Sequence, residues 1–156
     1  MEIKITLFIT LLLYSFVISQ SFFYILGLSN VLKSMQPATY IESRKLLDKN
    51  LRASLPAVYY LALIASIALV TFCVLNPSGV LFICSIIALA ALLADLILTI
   101  KGNRPINETI NTWSASNYPA NWKEYRSKWF AVYTIRQVAN IIGFVSLIAG
   151  LIFGFY

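Results

Sequence analysis

The chain has 156 residues, of which 60% are hydrophobic and 12% are charged, and it contains no histidine. Soluble domains are about 45–50% apolar and about 25% charged, so this composition excludes an ordinary soluble fold. The lack of histidine excludes haem held by histidine, the common zinc and copper sites and nucleophiles that a histidine activates, and no metal or cofactor is predicted.

Four apolar segments are long enough to cross a membrane, because a spanning helix needs about 20 such residues. They are residues 5–28, 56–75, 80–100 and 130–156. The first follows a lysine as a secretory signal would, but it is long for one and has a poor cleavage pattern, so we interpret it as a retained helix. The sequence predicts an all-α fold, in which residues 1–156 form a single integral membrane domain, a four-helix bundle.

Between the first two spans and between the last two lie long basic loops. Residues 37–50 and 105–113 each place apolar side chains on one face and polar ones on the other, which predicts short amphipathic helices at the membrane interface. In residues 37–50 the charged side should face water, and the helix should act as a lid or a lipid contact. The positive-inside rule places both loops in the cytoplasm and both termini outside, as in a bacterial inner membrane protein. The excess of basic residues, net charge +6, is interpreted as contact with membrane lipids and not with nucleic acid.

Residues 76–79, Asn-Pro-Ser-Gly, predict a tight hairpin turn between spans two and three. Cys73 and Cys84 flank this turn at similar depth. A disulfide is one interpretation, and the favoured one is that both thiols are small apolar side chains in the interior.

Asp95 and Arg136 are the two ionisable residues well inside the spans. Such a residue costs about 2.5–3.5 kcal/mol at the centre of the bilayer, so it usually faces the bundle interior and has a partner. The two lie at nearly equal depth, which predicts that they pair. The alternative is that Arg136 extends alone to the lipid headgroups.

Small and polar residues form a stripe on each of the last two spans. Arg136, Asn140 and Gly143 follow one another on the fourth span, and small residues precede Asp95 on the third, so the two stripes are predicted to meet. Gly150 and Gly154 continue the first stripe and offer an alternative use, a homodimer contact.

Gln20, Tyr24 and Tyr59 add polar groups to the same end of the bundle. Two interpretations of this polar interior are equally weighted. One is a ligand pocket. The other is a set of interhelical hydrogen bonds worth about 0.6 kcal/mol each, with no further role.

The loop before the fourth span carries an ordered set of residues: Asn103-Arg104-Pro105-Ile106-Asn107, then Trp113, Trp122, Tyr125, Trp129 and Arg136. This set resembles that of the anthrone-oxygenase-like family, small four-helix membrane proteins mostly of unknown function. Ser21-Phe22-Phe23 and Met35-Gln36-Pro37 extend the resemblance over most of the chain.

The resemblance implies a membrane-embedded cavity for a flat hydrophobic molecule and, in some members, oxygen-dependent conversion of an anthrone to a quinone without a known metal. Many members have an Asn-His pair shortly before the arginine, where this chain has Tyr133-Thr134. A threonine cannot replace a histidine base near neutral pH, which counts against the same reaction here.

The resemblance also places Asn103, Asn107 and Trp113 in the functional loop and pairs Trp129 with Arg136. Physical chemistry offers other roles for three of them: Asn103 can cap the helix that begins at Pro105, and both tryptophans can anchor the interface.

These observations give one set of candidate ligand-binding residues: Gln20, Tyr24, Tyr59, Asp95, Asn103, Asn107, Trp113, Trp129, Arg136 and Asn140. Arg136 and Asp95 are the candidates for catalysis. The leading hypothesis is binding of a lipophilic molecule of the quinone or polyketide kind. The alternatives are a metal-free oxidoreductase like an anthrone oxygenase, and a non-catalytic structural or accessory membrane subunit.

Overall fold

The computed structural model describes residues 1–75 and 79–155, and the described chain is helical almost throughout. Residues 76–78 of the expected hairpin turn lie outside the described residues. The helices are α1 (Glu2–Phe23), α2 (Ser29–Ser34), α3 (Pro37–Leu75), α4 (Val80–Leu98), α5 (Arg104–Asn111) and α6 (Trp122–Phe153), with π-helical segments at Tyr24–Leu28 and Thr99–Asn103.

Four helical stretches of the described chain are long and apolar enough to cross a membrane: Glu2–Ser34, Pro37–Leu75, Val80–Asn111 and Trp122–Phe153. Their outward-facing side chains are large and apolar, as lipid-facing side chains are; Phe8, Phe16 and Ile83 are examples. The predicted all-α four-helix bundle and the assignment as an integral membrane protein are therefore confirmed.

The spans pack as antiparallel neighbours, with α4 between α3 and α6 and with α1 against α3 and α6. The most extensive contact joins α4 to α6. Gly150 and Gly154 lie there against Leu81 of α4, so the small-residue stripe is used inside one chain, as expected. A homodimer through these glycines stays a prediction. Cys73 and Cys84 are both buried free thiols, in agreement with the favoured interpretation.

Helix α3 differs from the expectation that the second span begins at Pro56. The helix runs unbroken from Pro37 to Leu75 with Pro56 inside it. Residues 51–54 are exposed, so a backbone carbonyl that loses its partner to the proline ring can face water. The first part of α3 packs against α5 at the protein interior, whereas the sequence predicted a separate helix lying in the interface.

We call the end of the bundle that carries α2, the first part of α3 and α5 the loop end. Both π-helical segments lie there, at the ends of α1 and α4. In a regular α-helix Asn103 would be rotated by about 80° from Asp95. A π-helical turn holds one extra residue and returns Asn103 to within about 20° of the direction of Asp95. The two side chains therefore face the same part of the interior.

Candidate functional site

Asp95 is fully buried on α4 and is the centre of a polar network inside the bundle. Its Oδ1 accepts a hydrogen bond from Arg136 Nε at 2.5 Å, which forms an ion pair. Its Oδ2 accepts hydrogen bonds from the Tyr59 hydroxyl at 2.5 Å and from Asn140 Nδ2 at 3.1 Å. The predicted pairing of Asp95 with Arg136 is confirmed, and the alternative of Arg136 reaching the headgroups alone is wrong.

Asn103 connects this centre to the loop end. Its Oδ1 accepts a hydrogen bond from Arg136 Nη1 at 3.0 Å, and its Nδ2 donates to the Trp129 backbone carbonyl at 3.0 Å. The side chain makes no capping hydrogen bond at the start of α5. The capping role suggested by the sequence is therefore wrong, because the π-helical segment turns this amide toward α6.

A second polar network, which we call the Arg44 cluster, consists of Arg44, Asp48, Asn107, Asn111 and Trp129. Asn107 is its hub. The Asn107 Oδ1 accepts hydrogen bonds from Arg44 Nη2 and from Trp129 Nε1, both at 2.9 Å. The Asn107 Nδ2 donates to Asp48 Oδ1 at 2.9 Å, and Asn111 Nδ2 donates to Asp48 Oδ2 at 2.8 Å.

Aromatic rings surround the Arg44 cluster. The Arg44 guanidinium lies 4.0 Å from the centroid of the Trp129 ring, and the Trp129 ring stacks on that of Tyr133 at 4.5 Å. Tyr24 packs edge-on against Tyr133 at 4.6 Å. Tyr24 thus belongs to this aromatic layer at the loop end, where its ring contacts residues of α6.

Both candidate tryptophans are buried within the protein. Trp129 is 3% exposed and donates its indole N–H to Asn107, and Trp113 is 8% exposed and packs edge-on against Tyr125 at 5.1 Å. An interface anchor presents its ring to lipid and its N–H to water. The anchor role is therefore wrong for Trp129, whose ring and N–H both have protein partners.

Four buried polar atoms have no hydrogen-bond partner among the described residues: Gln20 Nε2, Asn140 Oδ1, Tyr40 OH and Arg44 Nε. Asn140 belongs to the Asp95 network and Gln20 lies on α1. Tyr40 and Arg44 lie on the first part of α3. Most buried polar groups in proteins are paired, so each of these four needs a physical account.

Sequence reasoning missed Tyr40, Arg44 and Asp48 as members of a site. The expectation that the charged side of residues 37–50 faces water is wrong for Arg44 and Asp48, which are both buried. The four-residue spacing of these three side chains was the available signal, because it places them on one helix face with Ile41.

Of the candidate residues, the structure brings Tyr59, Asp95, Asn103, Arg136 and Asn140 into one network and Asn107 and Trp129 into the other. Gln20 belongs to neither network; it precedes Ser21, whose hydroxyl donates to Gln137 of α6. Tyr24 and Trp113 lie in the aromatic layer around the second. Within residues 1–75 and 79–155, no three metal-ligating side chains come together.

Comparison of the chain with models of protein families, with curated proteins and with solved structures finds no match. The resemblance to the anthrone-oxygenase-like family therefore stays a prediction. The function has to be argued from the two polar networks themselves.

Proposed function

We propose that this membrane protein binds a lipophilic small molecule of the quinone or polyketide kind beside Asp95 and Arg136. The observation that carries the proposal is the pair of buried atoms without partners, Gln20 Nε2 and Asn140 Oδ1. One is a donor and the other is an acceptor. A buried polar group left unpaired costs about 1–3 kcal/mol, so a ligand that pairs with both is favoured.

The residues that carry these two atoms each lie within one helical turn of a contact between α1 and α6. Gln20 is next to Ser21, and Asn140 is one turn from Gln137; the hydrogen bond from Ser21 to Gln137 joins α1 to α6 at this level. A π-helical segment follows directly at Tyr24–Leu28, and such segments are frequent at functional sites. A ring that carries a carbonyl and a hydroxyl supplies the acceptor for Gln20 and the donor for Asn140.

The pairing of Asp95 favours binding over turnover. Both of its carboxylate oxygens already accept hydrogen bonds from protein donors. A general base needs an oxygen within reach of the substrate proton. An oxidoreductase like an anthrone oxygenase, with Asp95 or Arg136 in catalysis, is therefore the weaker candidate, and the presence of Tyr133-Thr134 in place of a histidine points the same way.

A non-catalytic structural or accessory subunit is the second candidate. It is favoured by the same complete pairing of Asp95, which serves helix packing without any ligand. The two candidates differ in what they predict for Gln20 and Asn140, because a purely structural bundle has no use for their unpaired atoms.

We further propose that the loop end faces the cytoplasm and that the protein belongs to a bacterial inner membrane. The support is the distribution of charge, because the two segments that meet at this end carry five basic residues each. The first segment contributes Lys33, Arg44, Lys45, Lys49 and Arg52, and the second contributes Lys101, Arg104, Lys123, Arg126 and Lys128.

The test is extraction in a native polymer disc followed by mass spectrometry of co-purified small molecules. We expect a lipophilic oxygen-bearing compound with the natural protein and its loss in Gln20→Leu and in Asn140→Leu. Ser19→Leu and Thr134→Leu are the matched controls, since both positions are exposed on the same helices, and both should retain the compound. Absence of any such compound from the natural protein, or its equal recovery from all four variants, contradicts the binding proposal.

A further inference from the structure

Arg44 is a buried arginine that forms no direct ion pair with the described residues. Its side chain lies between α3, α5 and α6 and is 5% exposed, yet it forms no ion pair with any carboxylate of residues 1–75 and 79–155. Its described contacts are the Asn107 amide oxygen and the face of Trp129. A buried charge is costly unless an opposite charge compensates it, so an anion bound at this guanidinium would stabilise the folded protein.

Asp48 does not supply that anion by direct contact. It lies one helical turn after Arg44, and its oxygens accept hydrogen bonds from the Asn107 and Asn111 amides. Its ion-pair partner is Arg52, whose Nε lies 2.9 Å from Asp48 Oδ2. Both carboxylate oxygens of Asp48 are thus engaged by Asn107, Asn111 and Arg52.

Tyr40 adds a second unpaired donor on the same helix face. It lies one turn before Arg44 and is fully buried, and its hydroxyl has no partner. Side chains four residues apart on a helix are neighbours, with about 5–6 Å between their Cβ atoms. The Tyr40 hydroxyl and the Arg44 Nε are therefore two hydrogen-bond donors that one multi-oxygen anion can bridge.

Further positive charge borders this place. The Arg126 guanidinium lies 5.7 Å from the Tyr40 ring centroid and donates to the Met35 carbonyl, and Lys33 Nζ lies 5.5 Å from the Phe130 ring centroid. Neither cation forms an ion pair with a carboxylate of the described chain. The surroundings of Tyr40 and Arg44 carry an excess of positive charge.

This place lies closer to the end of the bundle than the Asp95 centre does, and lipid headgroups are expected toward that end. Trp129, on which Arg44 stacks, precedes Arg136 by seven residues, so it lies about 10 Å closer to the loop end. Tyrosine and tryptophan rings of the aromatic layer form its walls. Phe22 and Phe23, next to Tyr24 in the chain, are exposed and apolar, as residues beside acyl chains are.

We propose that Arg44 and Tyr40 form a binding site for the phosphate of an anionic membrane phospholipid. The phosphate oxygens accept hydrogen bonds from Arg44 Nε and from the Tyr40 hydroxyl, two donors without a hydrogen-bond partner among the described residues. The site uses other atoms than the proposed small-molecule site at Gln20 and Asn140, and neither proposal depends on the other.

The test uses delipidated protein in detergent, with thermal unfolding and native mass spectrometry as readouts. Phosphatidylglycerol is the lipid probe. Diacylglycerol with the same acyl chains lacks the phosphate, and inorganic phosphate lacks the chains. We expect phosphatidylglycerol to remain bound and to raise the unfolding temperature, and the other two to do neither. Equal stabilisation by inorganic phosphate would overturn the assignment to a lipid, and equal stabilisation by diacylglycerol would overturn the phosphate site.

Variants locate the site. Arg44→Gln should abolish specific phosphatidylglycerol binding, and Tyr40→Phe should weaken it about tenfold, because one hydrogen bond to a charged group is lost. Arg104→Gln and Tyr118→Phe are matched controls outside the site and should bind as the natural protein does. If Arg44→Gln does not fold, Tyr40→Phe decides the matter, since it removes an atom without a protein partner. Natural affinity in Tyr40→Phe would refute the site.

Discussion

The two buried arginines of this protein are held in opposite ways. Arg136 pairs with Asp95 inside the bundle, and that carboxylate is itself held by Tyr59 and Asn140. Arg44, about as buried, has an amide oxygen and an aromatic face but no carboxylate among the described residues. The proposed lipid site would explain the difference by depth: a charge in hydrocarbon needs a partner within the protein, whereas a charge at headgroup level can be paired by lipid or water.

The two regions are connected through a single residue. The backbone carbonyl of Trp129 accepts the Asn103 amide that also binds Arg136, and the indole N–H of Trp129 donates to the Asn107 oxygen that also binds Arg44. A continuous set of hydrogen bonds thus links the Asp95 centre to the Arg44 cluster. The roles of these residues can be tested by replacing them one at a time.

The largest effect is expected at Asp95. Asp95→Leu leaves Arg136 buried without a counter-ion and should lower the free energy of unfolding by about 3–5 kcal/mol. The measurement is reversible unfolding in detergent followed by circular dichroism. The double variant Asp95→Leu/Arg136→Leu removes both charges and should recover most of the loss. A double variant as unstable as Asp95→Leu alone would contradict the view that the unpaired charge causes the damage.

Most of the fold was predictable from the sequence because membrane spans have a strong local signal. The four apolar segments and the facing stripes of α4 and α6 depend on length and periodicity alone. The absence of a helix boundary at Pro56 was not predictable, because proline occurs both in the first turn of a helix and at tolerated interior positions. What separates the two is whether its free carbonyl reaches water, and that depends on the neighbouring helices.

The Asp95 centre was predictable and the Arg44 cluster was not, because a charged residue stands out in an apolar span but not in a charged loop. A charge within an apolar span is conspicuous, and matching depths indicate the partner of Asp95. Arg44 lies in a segment rich in charge, where the water-facing interpretation is natural, and its burial depends on the packing of α5 against α3. The role of Asn103 was hidden as well, since it depends on a π-helical turn that no residue pattern marked.

A smaller effect is expected at Asn103, which binds both Arg136 and Trp129. Asn103→Ala removes an acceptor from Arg136 and a donor from the Trp129 carbonyl, and should cost about 2 kcal/mol of stability. Asn121→Ala is a matched control, because that side chain makes no capping hydrogen bond at the start of α6. Should the two variants unfold at the same midpoint, Asn103 would not connect the regions energetically.

A smaller effect distinguishes two buried tyrosine hydroxyls. Tyr59→Phe removes one of the donors to Asp95 and should cost about 1 kcal/mol. Tyr40→Phe removes a buried hydroxyl without a hydrogen-bond partner among the described residues and should raise the stability of delipidated protein, by about 1–3 kcal/mol. Differential scanning fluorimetry of both variants checks the pair. Equal destabilisation would mean that the Tyr40 hydroxyl has a partner within the protein.

The smallest effect is expected at Arg44 in the absence of lipid, and it is compared directly with the effect at Arg136. Arg136→Met strands Asp95 in the bundle and should cost about 3–5 kcal/mol. Arg44→Met removes a charge that forms no direct ion pair with a carboxylate of the described chain, and the Asn107 oxygen keeps the Trp129 N–H as a donor, so we expect a change below about 1 kcal/mol. The measurement is chemical unfolding of both variants in lipid-free detergent. A loss at Arg44 as large as that at Arg136 would show that the protein itself holds the counter-ion, and the distinction between the two buried arginines would fall.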